Sequence, residues 1–276
     1  MRKKILVCGS TGFLMANFIR YIVYRSKNFE IISIDNINRL EDTKRIYFNK
    51  NHKFYIGDAS DIEFMKKLIY LEKPDFIICG DEIFEYDKLL NTTNNLTNMK
   101  IPFIMILPVS PDNDPDKMCI PIKNIIIKSG NTALELPNKF GMRQNVSLLK
   151  SFGSNLSLFI SYIYKEKVIS ATTNKIPWVY AEDVASLLWF LIENKRTGLV
   201  RMPPLGYISE FEIVQKINQI IKNDIKIMES NFGENLGVIK TFEFDQIGGW
   251  VPDSKDLESS LEKTIKWVVA NKWSLI

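Results

Sequence analysis

A doubly wound parallel α/β sheet with a smaller carboxy-terminal lobe is the fold class this sequence predicts, and three observations predict it. Apolar runs bounded by turn residues recur roughly 20–30 residues apart through the first half of the chain. The segments between them carry apolar residues at helical spacing, and strand alternating with helix implies right-handed crossovers and a parallel sheet. The first run, "KILVCG", passes through two glycines three apart, Gly9 and Gly12, straight into a helix-like pattern.

Taken in order, "KILVCG", "FEIISIDN", "HKFYIGD", "PDFIICGD" and "PFIMILP" read as buried strands. "MANFIRYIVYRS" is an amphipathic helix, and "DIEFMKKLIYLEKP" opens on acidic residues that complement a helix dipole and is stopped by Pro74. "PVSPDNDPDK" concentrates Pro, Asp and Asn and predicts an exposed loop. From about residue 145 the chain reads as helix-rich. "YAEDVASLLWFLIENK" runs from acidic to basic and is followed by Gly198, "SEFEIVQKINQIIKN" opens with Ser209 and Glu212 in capping-box spacing, and "DSKDLESSLEKTIKWVVANKW" is a last amphipathic helix. The pattern divides into residues 1–144, a nucleotide-binding domain, and 145–276, a helix-rich lobe interleaved with it into effectively one compact unit. His52, in the polar stretch "NKNHKF", reads as a solvated loop residue, and Glu182 and Asp183 read as dipole partners and caps rather than an acid/base pair.

Composition sets the class. At 276 residues and 46% hydrophobic the chain can fill a substantial core. No apolar run is long enough to span a bilayer, and Met1-Arg-Lys-Lys passes into a strand without a signal segment, so neither membrane insertion nor export is expected. Cys8, Cys79 and Cys119 lack metal-ligand spacing, so no metal site is expected and a reducing, cytoplasmic location is. Basic and acidic residues, 36 against 32, are spread along the chain, which gives nucleic-acid binding little support.

The glycine loop is where ligand chemistry is legible. In a Rossmann-type strand-turn-helix cradle the first glycine permits the tight turn, the second admits a pyrophosphate close to the backbone, and the helix N-terminus supplies oriented N–H donors. Gly9 and Gly12 meet these needs, while Met15 stands where a third glycine would allow close helix-sheet packing, and is expected to push the helix outward or narrow the crevice. Asp35 ends the second strand, where a carboxylate accepts the adenosine ribose hydroxyls and repels a 2′-phosphate, which favours NAD over NADP. Asp58, after the third strand, stands beside the adenine. The cofactor-binding set is Gly9, Thr11, Gly12, Phe13, Leu14, Asp35, Asn36, Asp58 and Ala59, with NAD as the cofactor.

"STGFLMANFI", "ISIDNINRL", "HKFYIGDASDIEFMKKLI" and "KPDFII", followed by "LPNKFGMRQN", "IPWVYAEDVASLLWFLIE" and "GGWVPDSKDLESSLEKTIKWV", resemble successive segments of the extended short-chain dehydrogenase/reductases, the NAD-dependent epimerase/dehydratase family, and in particular its dTDP-glucose 4,6-dehydratase branch. The resemblance implies NAD, a nucleotide-sugar substrate, and a tyrosine acid/base with a lysine four residues later. None of the ten tyrosines here has Lys at that position, so no catalytic residue is assigned. Where relatives carry a long active-site helix this chain has only "PDNDPDKMCIPIKNIIIKSGNTALE", and the strand end that supplies S-T-D-E in the dehydratases reads Leu107-Pro108-Val109-Ser110. The loop beside the nicotinamide reads Gly80-Asp81-Glu82-Ile83, and Ile176 replaces a diphosphate-binding arginine, which leaves Asn138, Arg143 and Lys175 as substrate-binding candidates.

The reading is a degenerate homologue, a pseudoenzyme that keeps a dinucleotide scaffold for a binding role. One alternative is an active dehydratase, epimerase or reductase that recruits Tyr86, Tyr162 or Lys128. The other is an assembly protein in which the shortened helix, part of a dimer contact in relatives, exposes apolar surface to another copy or another chain.

Overall fold

The computed structural model describes residues 2–26, 28–36, 44, 46, 50–80, 86–108, 119–144, 156, 159–160, 163, 168–222, 225–229 and 244–271. The chain divides into two compact units, Met1–Leu136 with Val184–Arg201, and Pro137–Asp183 with Met202–Ile276. The division thus falls at Leu136 rather than near 144, and the chain re-enters the first unit once.

The first unit holds β1 (Lys3–Cys8), α1 (Phe13–Arg25), β2 (Phe29–Asp35), β3 (His52–Ile56), α2 (Ile62–Glu72), β4 (Phe76–Cys79), α3 (Tyr86–Asn98), β5 (Phe103–Pro108), α4 (Cys119–Lys128) and β6 (Thr132–Leu136), and the re-entering segment adds most of α5 (Ala181–Glu193) and β10 (Gly198–Arg201). Seven strands pair in parallel in the order β10-β6-β5-β4-β1-β2-β3. Strand order reverses between β1 and β4, and in such sheets ligands lie beyond the carboxyl ends of the strands at that reversal. Both faces are covered, which is why the central strands are continuously apolar. Met65 and Leu68 of α2, Leu89 and Leu96 of α3, and Ile122 and Ile126 of α4 pack with Leu6, Ile32 and Ile77 in one cluster. On α5, Trp189 meets Phe29 of β2 edge-on at 4.6 Å between centroids.

Local signals set the helix ends. Asp61 accepts from the N–H groups of Glu63 and Phe64 at 3.0 Å each to start α2, and Lys73 at φ 50° ends it just before Pro74. His52 is not a solvated loop residue. It opens β3, and its Nε2 lies 2.7 Å from the Ser33 hydroxyl, because β3 must pair along β2 to supply the sheet with its edge.

The second unit holds β7 (Asn138–Phe140), β8 (Val168–Ala171), β9 (Ile176–Tyr180), β11 (Gly206–Ile208), α6 (Glu210–Ile221), β12 (Lys226–Glu229) and α7 (Leu257–Ala270). Its strands form a three-stranded sheet, β11-β9-β7, and a parallel pair, β12-β8. Trp178, Tyr180, Ile213, Ile217, Leu261 and Ile265 share its core. This half is more strand-rich than its sequence suggests, since strands of three to five residues leave too few alternations to read. The capping box is present, with Ser209 N–H donating to Glu212 Oε2 at 2.9 Å and Glu212 N–H to Ser209 Oγ at 3.1 Å. The loop expected at "PVSPDNDPDK" lies almost wholly outside the described residues.

Candidate dinucleotide site

β1 delivers the chain to the reversal point, and Gly9 turns it there with φ +69°, a conformation that favours glycine. A Cβ placed on Gly9 would meet nothing within 4 Å, so the backbone borders open space. Gly12 N–H closes the turn on Gly9 O at 3.0 Å, and Gly12 is the N-cap of α1. α1 has neither a side-chain cap bond nor an acid in its first turn, so the positive end of its dipole is uncompensated by its own residues. The side chains of Phe13 and Leu14 are buried, which leaves their backbone as what the helix offers a ligand.

The loop is fastened to the end of β2. Gly9 N–H and Ser10 N–H donate to Ile34 O at 3.1 and 3.3 Å. Asp35 Oδ2 accepts from both the N–H and the hydroxyl of Thr11, each at 2.7 Å, and Oδ1 accepts from Asn36 N–H at 2.8 Å. Gly57 N–H donates to Asp35 O at 3.0 Å, which ties in the end of β3. The structure therefore brings Gly9, Thr11, Gly12, Asp35 and Asn36 together. Asp58 holds the next turn, accepting from Ser60 N–H and Oγ at 2.8 and 2.7 Å through Oδ1, and Ala59 packs against the sheet cluster.

Met15 packs inward. It is buried at 1% exposure over Gly80, whose missing side chain makes the room. A Cβ on Gly80 would sit 2.9 Å from Met15 Cγ. Gly80, one residue beyond the end of β4, thus leaves clearance for the Met15 side chain. Below the loop, Cys8 and Cys79 are register partners on β1 and β4, and the contact with Cys79 and then burial push the Cys8 thiol well above its ordinary value. That is an inert thiol.

At the other side of the sheet, α4 keeps Ile122 and Ile126 fully buried and leaves Ile127 37% exposed. α4 also carries a group that sequence reading passed over. Lys123 follows Cys119 by one turn, and its ammonium lies 2.6 Å from Oε1 of Glu135, a β6 carboxylate at 0% exposure, while Arg201 Nε on β10 donates to Oε2 at 3.0 Å. Burial raises the Cys119 thiol, with Lys123 opposing and Glu135 adding. The spacing in "CIPIK" was visible, but a search that starts from tyrosines does not find it.

The three substrate candidates do not converge. Asn138 Nδ2 donates to Pro177 O at 3.2 Å, and Lys175 pairs with Glu212 at 3.0 Å just before β9 begins. Arg143, at φ 71°, lies beyond the far end of β7 and places its guanidinium 6.0 Å over the Trp267 ring. β7 and β9 run parallel with Asn138 opposite Trp178 and Phe140 opposite Tyr180, so Lys175 and Arg143 stand at opposite ends of this sheet. Beside Arg143, burial first and then Glu182 and Asp183 push the Tyr180 phenol up. Glu182 pairs with Lys263 at 2.9 Å, and Asp183 accepts from Ser254 N–H at 2.9 Å and from its hydroxyl. Both acids are engaged within the fold.

Of the proposed acid/base substitutes, Tyr86 opens α3, Lys128 is the exposed end of α4, and Tyr162 lies outside the described residues, as do 81–83, 109 and 110. Among the described residues no cluster of His, Cys, Asp and Glu could hold a metal ion, and no helix is long and apolar enough to cross a membrane.

No family model matches the chain. It is similar to dTDP-D-glucose 4,6-dehydratase of Homo sapiens, 33% identical over 79 residues, which are 28% of this chain and 23% of that protein. The match to the Bos taurus protein likewise spans 22% of its length, so the chain aligns with about a quarter of these curated relatives. A probable dTDP-glucose 4,6-dehydratase of Sinorhizobium fredii is 20% identical, with 98% of this chain and 94% of the relative covered. Among solved structures, dTDP-glucose 4,6-dehydratase of Bacillus anthracis in complex with NAD superimposes with TM-score 0.78 at 17% identity, covering 98% of each chain. UDP-N-acetylglucosamine 4-epimerase of Methanobrevibacter ruminantium, in complex with UDP-N-acetylmuramic acid, gives 0.70 at 17% identity, covering 98% of this chain and 99% of that one. The fold is the Rossmann-type α/β fold of these dehydratases and epimerases.

Proposed function

We propose that the chain is a degenerate member of the extended short-chain dehydrogenase/reductases, which binds NAD in the Gly9–Gly12 cradle and has lost the family's proton-transfer chemistry. The observation that carries this reading is the position of Asp35: at the carboxyl end of β2, bonded into the glycine loop and next to the uncapped start of α1. Gly9 and Gly12 admit the pyrophosphate to the backbone, the first turn of α1 faces its charge, and Asp35 takes the adenosine ribose. Bound NAD would bring a hydride acceptor. Proton transfer beside it would need a group that the described residues do not supply at the expected place, since β5 ends Leu107-Pro108 and the Lys123 ammonium is committed to Glu135. The role that remains is binding, with NAD as a structural ligand and a cytoplasmic location. A nucleotide-sugar is the second ligand to test, and Arg143 is the candidate residue for it.

An active enzyme is the second reading, with Tyr86 at the start of α3 and Lys128 at the end of α4 as its candidates among the described residues. Turnover of a nucleotide-sugar panel with NAD that is lost on Tyr86→Phe or Lys128→Met would establish it.

The test of the main reading is to denature the purified protein, identify the small molecule released, and titrate NAD and NADP by calorimetry. NAD or NADH should be released, or NAD should bind on addition, and Asp35→Ala should weaken NAD far more than NADP. Equal loss of both means that Asp35 does not face the ribose. A protein that neither releases nor binds the dinucleotide leaves only the scaffold.

A further inference from the structure

We infer that Thr11 sets the strength and ribose selectivity of the cradle by competing with the ligand for Asp35, an inference that rests on the NAD reading above. Oδ2 of Asp35 receives two donors from one residue, the N–H and the hydroxyl of Thr11, both at 2.7 Å. A carboxylate oxygen offers about two lone-pair sites, so these two donors fill it. Oδ1 already accepts the N–H of Asn36 at 2.8 Å. A ribose diol that is to reach both oxygens of Asp35 must therefore displace a donor from Oδ2.

Only one of the two can yield. The N–H belongs to the turn that Gly12 closes on Gly9 and cannot leave without opening the cradle. The hydroxyl can rotate away about χ1, but Thr11 is buried at 4% exposure and β-branched, so few positions await its oxygen. Ligand binding then exchanges one hydroxyl for another on the same carboxylate, which reduces the net gain from the ribose hydroxyl. The hydroxyl of Thr11 acts as a built-in substitute for a ribose hydroxyl. Removing it while keeping the N–H should free Oδ2 for the ligand.

Three variants and two probes separate this role from a structural one. Thr11→Val keeps the volume and the N–H, Thr11→Ser keeps the hydroxyl, and Asp35→Ala removes the acceptor. ADP carries the ribose diol and 2′,3′-dideoxy-ADP does not, while both present the same diphosphate to α1. Calorimetry on the full chain should find ADP binding Thr11→Val roughly tenfold tighter than the wild type, the equivalent of about 1.4 kcal/mol. Thr11→Ser should match the wild type, and 2′,3′-dideoxy-ADP should bind the wild type and Thr11→Val alike. Unchanged or weaker ADP binding by Thr11→Val overturns the inference, as does a parallel change for both nucleotides, which would place the effect in the loop rather than at the ribose. If Asp35→Ala leaves ADP binding untouched, or no variant binds ADP, the NAD reading itself fails. Loss in Asp35→Ala with no gain in Thr11→Val leaves that reading standing and sinks only the competition.

Discussion

Gly80→Ala tests whether Gly80 leaves the clearance that Met15 fills. The new Cβ would lie 2.9 Å from Met15 Cγ and 3.4 Å from the Cys8 carbonyl oxygen. Ordinary carbon–carbon contact begins near 3.5 Å, so the pair is too close by at least about half an ångström. Cγ is near the root of the Met15 side chain, and relief requires a χ1 change in a packed site or a shift of α1. Overpacking of this kind costs about 1–3 kcal/mol, which at roughly 2–4 °C per kcal/mol for a unit of this size lowers the melting temperature by a few degrees to about ten. Met15→Ala alone should cost more, on the order of 2–5 kcal/mol, because it empties a buried site. In that background, however, Gly80→Ala meets no Cγ and gains the few tenths to about 1 kcal/mol that follow from a less flexible unfolded chain. The four proteins, unfolded in urea and followed by circular dichroism, should show a coupling of about 0.5–3 kcal/mol. Additivity within about 0.5 kcal/mol would refute the reasoning, since residues that do not share space do not couple.

Lys123→Met should cost about 3–5 kcal/mol in urea unfolding because it strips a buried Glu135 of one partner, and Glu135→Met added to it should recover most of the loss by removing the stranded charge. Two carboxyls should bend the pH profile in opposite senses. Burial alone would raise Glu72, but hydrogen bonds from Lys53 and the Tyr55 hydroxyl, with the charges of Lys53 and Lys4, outweigh it and hold Glu72 below its ordinary value, so its contribution is present above about pH 4.3 and is lost as pH falls further. Burial raises Asp183 against the opposing Ser254 bonds, so its contribution is present below about pH 3.9 and is lost as pH rises through its elevated folded value. Glu72→Gln should flatten the acid limb of a stability-versus-pH curve and Asp183→Asn the decline above it; a curve unchanged by either removes that group from the account. Ser209→Ala should cost about 1 kcal/mol in the same unfolding assay, since it deletes the capping bond to Glu212 N–H.

β1, β2, β4 and β5 were legible because each is largely buried on both faces of a parallel sheet and therefore reads as an apolar run. The cradle was legible for a different reason: a positive φ at Gly9 and an acid at the end of β2 are local demands that leave single-residue marks. What escaped was whatever depends on pairing at a distance. β10 joins the sheet because the edge of β6 is open to it, and nothing within Gly198–Arg201 announces that partner. The ion group at Glu135 draws one residue each from α4, β6 and β10, and its members have no common spacing. His52 was misplaced because the polar residues before it mask the start of β3. The packing partner of Met15, Gly80, follows β4 at a distance in sequence and leaves no mark near Met15.

On the proposed reading, a parallel sheet would let binding persist without proton transfer, because the two tasks would be held at different strand ends. The proposed ribose and phosphate contacts would fall on β1, β2 and the first turn of α1, fastened to one another by Thr11, Ser10 and Asp35. The acid/base position that the family resemblance implies would fall on β5 and the helix after it, where β5 ends in Pro108 and the α4 lysine pairs with Glu135. Register within each pair is set by its own ladder, so substitution at the end of β5 exerts no pull on the end of β2. A retained cofactor still acts on such a protein. Any ligand of the native state alone stabilises it by RT ln(1 + [L]/Kd), about 2.7 kcal/mol at a hundredfold excess over Kd. That is comparable to the cost of most single substitutions, and on the proposed reading it would give the glycine loop and Asp35 a physical use that requires no turnover.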